Sequence, residues 1–401
     1  MMETPRESFR KVMNYEQPER MFNWNRPFGF FGTDPGTQFW QNTIDRWHEE
    51  GLPTEINTHA QVNDFFGADR SLRIILKTAV WPPSDKLVIE EDGEYETFYD
   101  GEGALVKQPK GADFETAMPH HLTYPIANRH DWTRFKEEKL ALDAPGRETF
   151  ELNLDGQTLL ESAPGADNFV EAQELLADSR WPVEITVGSL FGKTRNWIGL
   201  TDLSYMLYDD EQLVSEIMSH LADLSLCVVT RFLEAMDAPV EYATWWEDMA
   251  FNNGPLISPK HVEKLMVPNY RRVNETLRSR GVDIIGVDSD GKLDKLIPLW
   301  LEGGINFVYP NEVAAGNDVA ALRQQFGREM RLVGGIDKRE LAKGRDAIGK
   351  ELERRLPLIA DGGYLPSVDH SVPPDISFDN YLAYLELYRE GCKTYLPHSG
   401  A

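Results

Sequence analysis

From about residue 180 the chain alternates between short apolar runs and longer stretches with helical spacing. Strand-like runs stand at WPVEITVGSL, APVEYATWWED, GVDIIGVDSD, GINFVYPNE, MRLVGGIDK and GGYLPSVDH. Between them lie amphipathic stretches such as DDEQLVSEIMSHLADLSLCVVTRFLEAM and SPKHVEKLMVPNYRRVNETLRSRG. Strand–helix–strand alternation with short links predicts a parallel sheet covered by helices. Residues 1–60 read as helix and loop. Thr4 and Pro5 mark a helix start in TPRESFRKVMNY, the aromatic, glycine-rich RPFGFFGTDPGTQFW follows, and QNTIDRWHEEG is helical again. Between 86 and 109, β-formers flank the turn residues Asp92-Gly93 and Asp100-Gly101, which predicts a β-hairpin excursion from the main sheet.

The informative feature is what each run ends on. Glu247 and Asp248 close the second, Asp288 and Asp290 the third, and Glu312 the fourth. Asp337, Lys338 and Arg339 close the fifth, and Asp369 and His370 the sixth. In a (β/α)8 barrel the C-terminal strand ends converge on one mouth, where active sites sit. A doubly wound sheet binds mainly at one crevice, and no GxGxxG opens any helix, so the ring of ionisable ends favours the barrel. The expected architecture is α/β: N-terminal helices and loop over 1–55, and a (β/α)8 barrel over 56–401.

A single acid after a strand often caps the next helix, and Asp294 and Asp318 fit that role. The pairs fit it less well. Asp288 and Asp290 are two apart and share one face of a strand end. Like charges that close repel unless a cation, a proton or a basic group lies between them. The pair therefore predicts a bound metal, a shared proton, or a merely solvated loop.

Composition narrows the partners. Among 401 residues, 66 acids against 41 bases give a net charge of −25, spread along the whole length. Such a surface repels nucleic acid and anionic membrane. The two cysteines, Cys227 and Cys392, belong to no CxxC pattern, which argues against thiolate metal sites and a disulfide framework. The opening residues lack a signal-peptide core, and no run approaches ~18 unbroken apolar residues. A cytoplasmic enzyme is expected.

The stretches GVDSDG, GGIDKRELAKG and GGYLPSVDHSVPPDISFDNYLAYLELYRE, with the opening ESFRKVMNYEQPERMF, resemble the uroporphyrinogen decarboxylase superfamily. The resemblance implies a (β/α)8 barrel and one of two chemistries: porphyrinogen decarboxylation, or methyl transfer between small molecules and a corrinoid protein. The decarboxylase branch holds its polycarboxylate substrate with an arginine-rich N-terminal segment. Here that region, NWNRPFGFFGTDPGTQFW, has Arg26 as its only base, and a mouth ringed with acids suits a polyanion poorly. The thiol-activating methyltransferases hold zinc with His-x-Cys after one strand and Cys after the last. This chain has Asp288-Ser289-Asp290-Gly291 and His370 at those places.

Two carboxylates and an imidazole can hold Zn²⁺ with an open position, as a harder site suited to oxygen donors. The resemblance thus implies zinc on Asp288, Asp290 and His370, polarising the oxygen of a methoxylated small-molecule donor. A corrinoid carried by a partner protein would accept the methyl group. Glu247, Asp248 or His370 would serve in proton transfer. Trp246, Glu312, Lys338 and Asp369 would bind substrate or orient His370. FGFFG at 28–32 could cover the mouth, and family analogy suggests a homodimer. Two other readings remain open: a metal-free decarboxylase or lyase on a small carboxylated substrate, and a non-catalytic barrel that binds a polyol.

Overall fold

The computed structural model describes residues 3–27, 41–110 and 119–396. The loop FGFFG lies outside them. Seven parallel strands form the main wall: β1 (Leu72–Leu76), β2 (Val183–Gly188), β3 (Tyr242–Trp246), β4 (Ile284–Asp288), β5 (Phe307–Tyr309), β6 (Arg331–Ile336) and β7 (Tyr364–Val368). All six runs expected after residue 180 are strands, in chain order from β2 to β7. β1 adds a seventh, and its outer edge pairs with the antiparallel hairpin of Phe150–Leu154 and Gln157–Ser162. The β4 strand IIGVD is buried along its whole length, as a strand covered on both faces must be.

The expected barrel has eight strands, and ladder hydrogen bonds close no such ring among the described residues: the sheet runs from β7 through β1 to the hairpin. Residues 21–27 bridge the two ends instead. Asp69 N donates to Asn23 O at 2.8 Å just before β1, and Val368 N donates to Asn25 Oδ1 at 3.3 Å at the end of β7. Val372 N donates to Pro27 O at 2.7 Å. Trp24 of this segment packs on Tyr242 and Tyr309, with ring centroids 6.2 and 6.4 Å away. It belongs to the same apolar cluster as the strands.

The N-terminal helix Pro5–Met13 starts as the sequence predicts. Thr4 and Glu7 exchange bonds as a capping box, with Pro5 in the first turn. Asp318 caps helix Val319–Phe326, accepting from Ala320 N and Ala321 N. Asp294 does not cap its helix, Ile297–Glu302, which begins after Leu296. The excursion is larger than a hairpin: strands 87–91, 95–99, 105–109 and 120–123 form a four-stranded antiparallel sheet. The long helix Glu211–Ala235 is apolar enough by length and composition to cross a membrane. Its stripe of Leu213, Val214, Ile217, Leu221 and Val228 is buried in the core.

One glycine is fixed by packing. Gly286 in β4 sits opposite Phe307, whose ring lies 2.0 Å from where a Cβ would stand. Phe307 thus occupies the interior beneath the mouth, and no larger residue fits at 286 without moving it.

Candidate active site at the strand ends

Asp288 is the last residue of β4, level with Trp246 on β3 and Tyr309 on β5. The backbone of the neighbouring strand end is tied to it, with Glu247 N donating to Asp288 O at 2.9 Å and Asp248 N at 3.2 Å. The Asp288 side chain is only slightly exposed. Burial pushes its pKa well above the ordinary carboxyl value, and the charges of Asp290 and Asp248 push it further. Asp288 is therefore a carboxyl whose surroundings favour the protonated form.

Asp290 and His370 meet directly, Oδ2 to Nε2 at 3.5 Å, each about a third to two-fifths exposed. Asp248 is held at φ +41, a left-handed conformation rare outside glycine, asparagine and aspartate. Arg195 Nη1 reaches Asp248 Oδ2 at 3.1 Å and also its carbonyl oxygen. Burial raises the Asp248 pKa, Arg195 lowers it, and Asp290 raises it again. The mouth therefore carries the sequence Arg195, Asp248, Asp290, His370, with Asp288 beneath. Lys338 and Glu312 flank it: both are half-buried, and Glu312 Oε2 accepts from Gly291 N at 3.3 Å.

Three expectations need correction. Among the described residues no three His, Cys, Asp or Glu donors group closely enough to hold an ion. Asp290 and His370 pair, but the nearly buried Asp288 does not join them as a third donor, so the implied zinc cage does not fit this arrangement. Glu247 is no proton donor here. Fully buried, it accepts from Leu190 N (2.9 Å), Phe191 N (2.7 Å), Gly192 N (3.1 Å), Ser189 Oγ (3.3 Å) and Tyr270 Oη (2.7 Å). It caps helix Phe191–Ile198 from another strand. Burial pushes its pKa up while the Leu190, Tyr270, Gly192 and Phe191 donors pull it back.

Asp369 is likewise a structural clamp rather than a substrate ligand. It is fully buried and accepts from Val313 N at 2.7 Å and Lys338 N at 3.0 Å, joining the loops after β5 and β6 to the end of β7. Burial lifts its pKa to about 6 against the pull of those two amides. Lifting a carboxyl from 3.8 to about 6 makes ionising it in the folded state cost roughly 3 kcal/mol. The folded form holds this proton more tightly than the unfolded form, so the contribution is full below pH 3.8 and is lost as pH rises to about 6. Urea unfolding across that window should show a flatter pH dependence in Asp369→Asn than in the parent. An unchanged slope would contradict this.

The sequence reading missed the layer beneath the mouth. A cavity of about 210 Å³ lies there, walled by Arg73, Thr186, Lys193, Thr244, Trp246 and Tyr309, among others. Glu184 on β2 sits behind the wall, 3.4 Å from Arg73 Nε, and accepts from Tyr242 Oη at 3.0 Å and from Thr244 Oγ1. The two tryptophans of β3 divide as alternation requires. Trp245 is core, donating to Asn274 Oδ1 at 2.9 Å, while Trp246 faces the cavity with Lys193 and Arg195 over its ring.

A parallel sheet with its ionisable residues and its cavity gathered at the C-terminal strand ends is the layout of an α/β enzyme. Residues 173–391 match the model of the family described as uroporphyrinogen decarboxylase (URO-D), more than half of the chain, and the chain belongs to that family. No curated protein sequence matches it. Among solved structures, a methyltransferase from Methanosarcina mazei is similar over 96% of this chain and 98% of its own, with TM-score 0.55 and 11% identity. At that identity the likeness speaks to the fold. A B12-independent methionine synthase from Shewanella sp. W3-18-1 is similar over 59% of this chain and 68% of its own, with TM-score 0.38 and 12% identity.

Proposed function

We propose that this chain is a methyltransferase that demethylates a methoxylated small molecule, handing the methyl group to a corrinoid carried by a partner protein. The observation that carries the reading is the place of Asp288, a buried carboxyl at the end of β4 between two residues that wall the cavity, in surroundings that favour its proton. Breaking a methyl–oxygen bond leaves an electron pair on oxygen, and an alkoxide or phenolate departs far more readily if a proton reaches it in the same step. The reduced corrinoid, as co-substrate, supplies the electron pair for the new methyl–cobalt bond. Asp288 gives its proton to the departing oxygen, and Asp290 with His370, closer to solvent, restores it. Trp246 offers a flat apolar wall to the substrate. The family membership and the overall likeness to a methyltransferase fold are consistent with this reading.

Incubating the purified protein with a chemically reduced corrinoid protein and a panel of methoxylated compounds tests it. Growth of the methylcorrinoid absorption band with release of the matching alcohol or phenol is expected. No methylation with any ether, under conditions where a known partner enzyme is active, would remove the proposal. Decarboxylation of a small acid is the second reading, favoured by Arg73 and Lys193 in the cavity wall. There the Asp288 proton would quench the carbanion left when carbon dioxide departs. Carbon dioxide release without any corrinoid protein would select it.

A further inference from the structure

We infer that Thr78 is the recognition point for the ligand of this cavity: its hydroxyl pairs with a hydroxyl on a small, neutral, single-ring molecule lying against Trp246. Thr78 is only 7% exposed and lines the cavity together with Gly188 and Trp246. Its Oγ1 lies toward Gly188, 3.3 Å from where a Cβ at that glycine would stand. Among the described residues no protein group bonds this hydroxyl. The other Ser and Thr hydroxyls of the described lining are spent on the protein itself. Thr186 Oγ1 donates to Ile74 O at 3.2 Å, Ser189 Oγ to Glu247 at 3.3 Å, and Thr244 Oγ1 to Glu184. A buried hydroxyl without a partner is costly, and native structures seldom keep one unmet.

The turn that carries Thr78 is clamped on both sides. Arg147, fully buried, donates from Nη1 to Lys77 O at 2.6 Å and to Ala79 O at 3.0 Å, the carbonyls just before and after Thr78. Its remaining nitrogens reach Ala141 O at 2.8 Å and Lys139 O at 2.9 Å. Thr78 N donates to Leu76 O at 2.9 Å, which closes a tight turn directly after β1. A β-branched side chain on a backbone fixed in this way has few rotamers left. The hydroxyl is therefore in place before a ligand arrives, and little ordering is lost on binding.

The rest of the cavity sets the class of ligand. A space of about 210 Å³ takes one ring with small substituents and excludes a tetrapyrrole. Trp246 supplies aromatic surface for a flat partner. The cations around it already have acids: Arg73 has Glu184, Lys193 has Glu102 and Arg195 has Asp248. A neutral molecule fits that balance, and a hydroxyl suits Thr78, which offers one donor and two lone pairs. That this hydroxyl marks the non-reacting end of a methoxylated substrate rests on the methyl-transfer reading. The binding site can be tested without turnover.

Phenol and fluorobenzene, alike in size and shape, are the probes, titrated against the full-length protein by ligand-observed NMR and calorimetry. Thr78→Val keeps the shape of the side chain and removes its hydroxyl. The ratio of phenol to fluorobenzene affinity should fall about 3- to 10-fold in this variant, the worth of one hydrogen bond, and Thr78→Ser should restore it. Thr78→Ala serves the same test should valine disturb the clamped turn. Thr78→Val should unfold at the urea midpoint of the parent or above it, because no protein partner is lost. Thr244→Val, which takes a donor from Glu184, should unfold earlier. An unchanged ratio would mean that water alone meets the Thr78 hydroxyl, and a loss of stability like that of Thr244→Val would mean that the protein does. Either overturns the site, as does the absence of saturable binding of both probes at millimolar concentration. A ratio that depends on Thr78 without methyl transfer would sink only the catalytic reading, and methyl transfer with an unchanged ratio only this one.

Discussion

Replacing Asp288 by Asn should lower turnover about 100- to 10,000-fold, the usual worth of a positioned proton donor. Asparagine keeps the size and polarity of the side chain but has no acidic proton to give. The parent enzyme should be active while Asp288 is protonated and lose activity as pH rises through its raised pKa. That limb should be missing from the residual activity of the variant. The cause of the raised pKa can be checked separately. Burial is its first cause and the Asp290 charge its second, so Asp290→Asn should shift the limb toward lower pH without abolishing turnover. Stability follows the same sign: the folded state holds the Asp288 proton above pH 3.8, where the unfolded state releases it, so its contribution declines with rising pH. An Asp288→Asn variant within threefold of the parent would leave the proton source elsewhere.

Glu247→Ala should destabilise the fold by about 4 kcal/mol or more, among the largest losses a single change produces. The substitution strands donors from Leu190, Phe191, Gly192, Ser189 and Tyr270 in a site that water does not reach. Each unmet buried donor costs roughly 1–3 kcal/mol before relaxation. Glu247→Gln keeps one acceptor oxygen but turns an amide N–H toward backbone N–H groups, so it should lose less yet remain clearly destabilised. Chemical denaturation of the three proteins gives the ranking. Parent-like stability in Glu247→Ala would mean that the helix Phe191–Ile198 finds its N-terminal partners elsewhere.

The sheet was legible because its strands are continuous apolar runs between helical stretches, and period alone separates the two. β1 escaped because LRIIL is short and is followed by the long excursion rather than by a helix. Asp288, Asp290 and His370 stand out in the sequence by their positions after strands, and Asp290 and His370 do meet. Glu247 and Asp369 were misjudged for one reason. A strand-end acid buried among backbone N–H groups has the same sequence signature as one facing a substrate, and only the third dimension distinguishes them. The cavity wall was legible in principle. Arg73 in LRIIL, Glu184 in VEITVG and Thr244 in YATWW are polar residues at alternate positions inside apolar strands, which places them on an inward face. Attention to strand ends alone passes over them.

The bridge made by residues 21–27 bears on how the chain folds. Asn25 must find Val368, 343 positions further on, before the two ends of the wall are joined. Joining points so far apart carries a high loop-closure cost and tends to come late. Until then β7 presents an open edge, the kind of surface on which chains associate with one another. Slow refolding and concentration-dependent aggregation should therefore ease together when a separate peptide spanning 3–27 is supplied to a chain that lacks it.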